Sequence, residues 1–351
     1  MQKLFLTAIF FSLHMYCCAS NTFNTLQNLQ KFTGVMIEPK PGQYAAYGET
    51  FKVGFTATKK KDGKQKKIRT LNPRFSIKVE GGKKTGSKIT VTNKPTDKNL
   101  YAVKIRVEQR RLFGKNLVDS LTYPINFATR LSLDFSGSAG KDGRRGINHW
   151  GTALIGRDGN SGGTGGDGHW GTDGKDLQVK ITNEFDMNLG CAVYFIYVKE
   201  LETKKNYVYR WIENNGGIEI DTHGGRGGDG GRGGRGGNGK DGRYVEKKDG
   251  TVKYKPAGNG GDGGSGGDGG NGGNGGDLEI IVHEDCDEVI QYLRCFTQGG
   301  HGGRGGEANQ HGGNPGHGLE GETTYSGQPG FAGEWGHDGK YGNLTVRTTL
   351  F

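Results

Sequence analysis

A glycine falls on every third residue through long stretches of the C-terminal half of this chain, and that phase restricts what the backbone can do. Gly156, Gly159, Gly162, Gly165, Gly168, Gly171 and Gly174 keep it without a slip, as do Gly327, Gly330, Gly333, Gly336, Gly339 and Gly342. Two further tracts, 223–238 and 259–277, are denser and read Gly-Gly-X. Neither the α-helix nor the β-strand has a three-residue period. The polyproline II helix does, with about 3.1 Å of rise per residue and no internal hydrogen bonds. Its N–H and C=O groups must therefore find partners on other segments. A Gly-Gly-X segment is bare on two of its three faces and belongs inside a bundle, whereas Gly-X-Y bares one face and suits the rim. Each glycine loses about 0.5–1 kcal/mol more than alanine on ordering, so only a cooperative array anchored on a sheet can hold these tracts.

The anchors are visible. Leu131/Leu133/Phe135 leads into the first tract and Leu177/Val179/Ile181 leaves it; Ile218/Ile220 and Leu278/Ile280/Val282 bracket the second, and residues 292–296 and Leu344/Val346 the third. The exits are alike: Lys-Asp-Leu-Gln-Val at 175, Gly-Asp-Leu-Glu-Ile at 276 and Gly-Asn-Leu-Thr-Val at 342. A loose linker has no reason to be restarted by one strand three times, so 131–351 reads as a threefold internal repeat. Six candidate helices follow, at 137–146, 156–174, 223–239, 258–277, 299–306 and 327–342. Gly-Gly-X runs feeding into Asp-Leu-Glu-Ile-Ile-Val resemble the glycine-rich N-terminal domain of the Obg family, which implies six polyglycine II helices embedded in a small β-structure. The Obg GTPase motif Gly-x-x-x-x-Gly-Lys-Ser/Thr is absent, so the resemblance implies the fold and not the nucleotide chemistry. Glycine-rich phage tail-fibre adhesins are similar too, and that likeness implies binding loops at the helix tips.

The front of the mature chain is a different material. Only nine of the 69 glycines precede residue 131, and residues 21–130 carry 23 Lys and Arg against 7 Asp and Glu, a net of +16. Period-two alternation recurs in Phe51/Val53/Phe55, Phe75/Ile77/Val79, Ile89/Val91, Tyr101/Val103/Ile105/Val107 and Tyr123/Ile125/Phe127, the signature of half-exposed antiparallel strands. About seven short strands in this length point to an immunoglobulin-like β-sandwich, similar to bacterial immunoglobulin-like modules. The expected fold class is thus all-β plus polyglycine II. Its domains are a signal at 1–20, a basic sandwich at 21–130 and an Obg-like bundle at 131–351.

Lys3, the apolar run Leu4 to Leu13 and Cys18-Ala19-Ser20 form an export signal, so a secreted or cell-surface location is expected. A lipid anchor at Cys17 or Cys18 is the rival. No apolar stretch is long enough to span a bilayer as a helix. Of Cys191, Cys286 and Cys295, the pair Cys286 and Cys295 is the possible disulfide, and a free buried thiol is an equal alternative.

No paired-carboxylate, triad or metal constellation supports an enzyme, and no cofactor motif is present. His301, His311 and His317 have no common metal-site spacing. Arg226, Arg232 and Arg235 imitate an RNA-binding box but lack aromatic punctuation, so no nucleic-acid partner is expected. Two candidate surfaces remain. Lys59, Lys60, Lys61, Lys64, Lys66 and Lys67 crowd the Asp62-Gly63 hairpin tip and can dock an anionic polymer, or they keep a sheet edge soluble. His149-Trp150 recurs as His169-Trp170, and Glu334-Trp335-Gly336-His337 echoes both. Exposed Trp beside His and Asp suits a glycan or envelope polymer, whose C–H faces stack on ring faces; the alternative is that each ring covers a bare glycine stripe. The functional expectation is non-enzymatic binding or adhesion through these Trp/His tips, or a structural spacer with no ligand there. Opposite charges on 226–235 and 262–277 are expected to pair two antiparallel helices.

Overall fold

The computed structural model describes residues 32–39, 45–59, 62–67, 75–98, 100–109, 116–149, 151, 157–213, 216–319 and 321–351. The expected export signal with Cys17 and Cys18, Lys60, Lys61 and Trp150 lie outside the described residues. Most regular structure is β, with one 3-10 segment, Glu284–Tyr292. Two compact units emerge: the residues up to Leu131 with Tyr207–Asn215, and Ser132–Asn206 with Gly216–Phe351.

The first unit contains β1 (Phe32–Pro39), β2 (Thr50–Lys59), β3 (Gln65–Lys67), β4 (Phe75–Glu80), β5 (Gly82–Thr85), β6 (Lys88–Val91), β7 (Ala102–Gln109) and β8 (Leu117–Pro124). One sheet runs β1-β2-β6-β5, with β3 paired to β2, and the other β4-β7-β8. Alternation places Val103, Ile105 and Val107 of β7 in full burial, and they share one core with Phe51 and Phe55 of β2 and Ile89 and Val91 of β6. Strand β8 lies earlier than Tyr123/Ile125/Phe127 suggests. Ile125 only bridges to Ala45 beyond its end, and both Ile125 and Phe127 are buried there. The returning segment is built into this unit. Tyr209 Oη donates to the Asn93 carbonyl at 2.8 Å, and the buried Arg210 guanidinium stacks 4.1 Å from the Tyr101 ring centre.

The second unit repeats strand–arm–arm–strand three times. Its strands are β9 (Leu131–Asp134), β10 (Leu177–Asp186) and β11 (Cys191–Glu200). After β12 (Asn206–Trp211) come β13 (Ile218–Asp221), β14 (Arg243–Glu246), β15 (Val252–Lys255), β16 (Leu278–His283), β17 (Leu293–Phe296) and β18 (Leu344–Thr349). Entry strands form the sheet β9-β13-β17, and exit strands lie in the order β11-β10-β16-β18, with β10, β16 and β18 mutually parallel. The similar exit sequences pair in register: Leu177 with Leu278, and Leu278 with Leu344.

Between these strands run six glycine arms, at 137–149, 157–175, 222–242, 258–277, 297–317 and 325–343, numbered here arms 1 to 6. Consecutive arms are antiparallel: Gly163, Gly166 and His169 of arm 2 donate to Ile147, Arg144 and Lys141 of arm 1. Alternate arms are parallel: Gly162, Gly165 and Gly168 of arm 2 donate to Asp262, Ser265 and Asp268 of arm 4 at 2.7–2.8 Å. Every such series advances by three residues, apart from one slip in arm 5, where Asn309 and Gly313 take successive places. Arms 3 and 4 each bond to four other arms, arms 2 and 5 to three, and arms 1 and 6 to two. The two long Gly-Gly-X tracts, 223–238 and 259–277, are therefore the inner pair, and the shorter Gly-Gly-X run 299–306 of arm 5 has three neighbours.

The close approach explains the glycines. A Cβ on Gly227 would fall on the Gly270 carbonyl oxygen, and one on Gly267 on that of Gly166, far inside 3.0 Å. The hydrogen that takes the place of each Cβ is aimed at a carbonyl oxygen, the geometry of a Cα–H···O contact.

The X positions have a task the charge pattern did not reveal. In a Gly-Gly-X triplet the two glycine N–H groups serve neighbouring arms and the third N–H faces outward. A carboxylate or amide on the next parallel arm accepts such an outward N–H, in the Gly-X-Y arm as well: Gln328, Glu334 and Asn343 of arm 6 donate to Asp262, Asp268 and Asp277 of arm 4, at 2.8, 2.8 and 2.7 Å. Asp268 and Asp277 N–H groups are capped in turn by Asp167 of arm 2 and by Asp176, which joins that arm to β10. On the opposite layer Asp142 accepts from Asp229, and Asp229 from Arg304. Two of the arm 3 arginines expected to pair with arm 4 acids take other partners. Arg226 pairs within its own arm with Asp229, and Arg232 with Glu307. The acids are occupied by backbone.

Cys191, Cys286 and Cys295 are free thiols, so the possible Cys286–Cys295 bridge is absent. Cys286 is buried in the 3-10 segment, its Sγ donating to the His283 carbonyl, while Cys295 lies on β17 beside Ile220. Burial pushes the Cys295 thiol up to about 11.

Candidate binding surface

The outer arms hold their side chains on a backbone bonded at every turn, so whatever they display is fixed in place. Trp170 of arm 2 is 72% exposed and Trp335 of arm 6 is 69% exposed. Most of each side chain is therefore open to solvent.

The two rings occupy different faces. Trp170 belongs to the same three-residue row as Asp167 and Asp173, whose carboxylates cap the Asp268 and Asn274 N–H groups of arm 4. At its level arm 4 presents Asn271, which accepts from the His337 N–H at 2.9 Å. Trp170, Asn271 and His337 thus form one rung of an acidic face whose other rungs include Asp167, Asp268 and Glu334.

Trp335 turns to arm 5. Arg304 lies 5.9 Å from its ring centre, a cation–π distance. Three residues along arm 6, Asp338 accepts the Gly302 N–H at 2.7 Å and reaches His301 at 3.4 Å. The Gly302 N–H bond, and then His301, hold the Asp338 carboxyl below its ordinary range. Trp335, Arg304, His301 and Asp338 make an exposed patch with an aromatic plate, a guanidinium, an imidazole and a carboxylate. That set can stack on an apolar ring face and hydrogen-bond its hydroxyl or acidic substituents.

The remaining sequence candidates lie apart. His149 is half-buried, and its N–H serves the Arg235 carbonyl. His169 is exposed, with its N–H on Lys141 and its carbonyl on Gly228, next to Trp170. The hairpin tip forms: Gly63 takes φ 64°, Lys64 N–H caps Asp62, and Lys64, Lys66 and Lys67 are exposed. Lys59 is half-buried at 4.0 Å from Asp62. The first unit also holds a cleft of about 880 Å³ whose lining, including Lys83, Lys94, Asp97, Tyr101 and Lys104, comes wholly from residues 80–104; no motif in that stretch marks it.

Sequence reasoning also passed over arm 6 as an aromatic arm: Tyr325, Phe331 and Tyr341 are 65%, 82% and 76% exposed. The signal was available in four aromatics within one rim tract. Among the described residues no three His, Cys, Asp or Glu side chains gather as a metal site, and no helix is long and apolar enough to cross a membrane. No family model, no curated protein and no solved structure matches the chain.

Proposed function

We propose that this is an exported, non-enzymatic surface protein that binds a glycan or related envelope polymer through aromatic side chains held on a polyglycine II bundle. Several observations support that conformation for the arms: every inter-arm bond series advances by three, the bonds run between arms, and three is the polyproline II period. The threefold strand–arm–arm–strand order with six arms supports an Obg-like module. In the first unit, sheets ordered β1-β2-β6-β5 and β4-β7-β8 follow the ABED and CFG arrangement of a constant-type immunoglobulin sandwich, which supports that reading. Its excess of lysine suits an anionic polymer.

The observation that carries the binding reading is the exposure of Trp335 beside Arg304, His301 and Asp338 on a backbone hydrogen-bonded to arms 4 and 5 at every turn. Exposed apolar side chains gathered in one patch mark interaction sites more than scattered ones do, arm 6 alone exposes Tyr325, Phe331, Trp335 and Tyr341, and a site on a rigid scaffold needs no ordering when its ligand arrives. The spacer reading is favoured by a different observation, the density of main-chain bonds in arms 3 and 4, which makes the bundle stiff whether or not anything binds.

A glycan array separates them. Wild type should retain a defined set of glycans, and Trp335→Ala together with Trp170→Ala should lose it. Binding that survives both substitutions, or no binding at all, retires the recognition reading and leaves the spacer.

A further inference from the structure

The rim between arms 5 and 6 carries two facing rows of side chains. The arms run antiparallel, with Gly333, Gly336, Gly339 and Gly342 donating to Gly306, Gly303, Gly300 and Thr297. The outer row of arm 6, Trp335, Asp338 and Tyr341, therefore stands level with Arg304, His301 and Gln298 of arm 5. Two of these pairings are made, Arg304 with the Trp335 ring and His301 with Asp338. Trp335 and Tyr341 are both exposed. Two triplets separate them, about 19 Å in polyproline II geometry, and its period of three puts both rings on the same side of the arm. The charges along this rim are engaged unevenly. Asp229, which caps the Arg304 N–H, is taken by Arg226, and Glu307 pairs with Arg232. Asp338 accepts the Gly302 N–H and reaches His301, while Glu334 belongs to the row on Asp268. Among the described residues no carboxylate joins the Arg304 guanidinium, which is exposed beside Trp335. A guanidinium offers parallel N–H donors that match the two oxygens of an acid group, and a sugar hydroxyl matches them poorly.

We infer that this rim binds a linear acidic oligosaccharide. One sugar ring lies on Trp335 with its carboxylate or sulfate in the Arg304 fork, and a later unit of the same chain lies against Tyr341. The inference rests on the glycan-binding reading above and adds to it the charge and the length of the ligand. A monosaccharide cannot touch both rings, so affinity depends on chain length. The inter-arm bonds fix the spacing of the two backbone positions, which leaves only side-chain rotamers to be ordered when the chain arrives.

The test is a glycan array read with the full chain as wild type, Arg304→Gln and Tyr341→Ala, followed by affinity measurements on whatever is retained. The array holds carboxylated and sulfated glycans, from monosaccharides to chains longer than about 19 Å, each beside its carboxyl-reduced or desulfated counterpart. Wild type should bind the acidic member at least about tenfold more tightly than the neutral one, as a charged hydrogen-bonded pair gives. The two acidic sets tell a carboxylate from a sulfate. Arg304→Gln should erase the preference; its cap on Asp229 is a backbone N–H that the substitution keeps, and the wild-type comparison decides alone should the variant misfold. Tyr341→Ala should weaken the long chains several-fold and leave monosaccharides unchanged. Neutral counterparts bound as tightly, or a preference that survives Arg304→Gln, would overturn the acidic ligand and leave glycan recognition standing. Affinity indifferent to length or to Tyr341 would overturn the extended chain. No retained glycan would overturn recognition itself, and this inference with it.

Discussion

The two units solve the problem of cohesion in opposite ways. In the first, glycine is sparse and the interior is side chain: Phe51, Phe55, Ile89 and Ile105 interdigitate, and the backbone bonds are those of ordinary sheets. In arms 3 and 4 the interior has no side chains, and carbonyl oxygens occupy the places where Cβ atoms would stand. Cohesion there comes from main-chain bonds repeated at every turn, with the side chains outside to cap and display. The comparison teaches that tolerance to mutation should invert between them. A core of side chains suffers from losing atoms, and a core of backbone suffers from gaining them.

The largest expected effect tests that inversion. Gly267→Ala puts a methyl group on the Gly166 carbonyl, which must separate arms 2 and 4 and break bonds on both sides; a loss of about 3 kcal/mol or more is expected. In the first unit the costly change runs the other way, with Ile105→Ala losing about 2–5 kcal/mol. Denaturant unfolding monitored separately for each unit should assign each loss to its own unit. A Gly267→Ala chain as stable as wild type would erase the distinction.

A smaller effect sharpens the account of the X positions. Asp268→Ala leaves the Glu334 N–H without its acceptor, and a loss of about 0.5–2 kcal/mol is expected by analogy with helix caps. Asp268→Asn keeps the acceptor oxygen and should be nearly neutral. If alanine and asparagine behave alike, the carboxylates act by charge and the capping account fails.

The smallest effect is set by pH. Hydrogen bonds first from Gln178 and then from Arg347 hold the Glu279 carboxyl below its ordinary 4.5. Because the folded value is depressed, the stabilisation is present above 4.5 and is lost as pH falls through the folded value. Protection factors of β18 amides, corrected for the intrinsic exchange rate at each pH, should therefore fall on acidification before those of β10, and Glu279→Gln should remove the difference.

Much of this was legible in sequence because it depended on period alone. The phase of three, the threefold exits and the inner position of the Gly-Gly-X tracts follow from where glycine can and cannot be replaced. The capping ladder was not legible. Asp268 meets Glu334 and Asp167 only once the order and direction of six arms are known, so the same charges read naturally as pairs between antiparallel neighbours. The recurring Trp-Gly motif hid a division of another kind: with three residues per turn, Trp170 and Trp335 keep the same place relative to glycine yet project from different faces, because their arms have different neighbours. Strand β12 belongs with the first unit through contacts such as Tyr209 to Asn93, across 116 residues, and local pattern carries no trace of such a partner.

Amide hydrogen exchange on residues 223–239 and 258–277 of the full chain tests the central claim most directly, since these N–H groups are the cohesion. The bonds described predict protection comparable to that of β10 and β16, strongest at glycine amides such as Gly231, Gly264 and Gly267 that donate between arms. Exchange of these amides at free-peptide rates, while β10 and β16 stay protected, would contradict it.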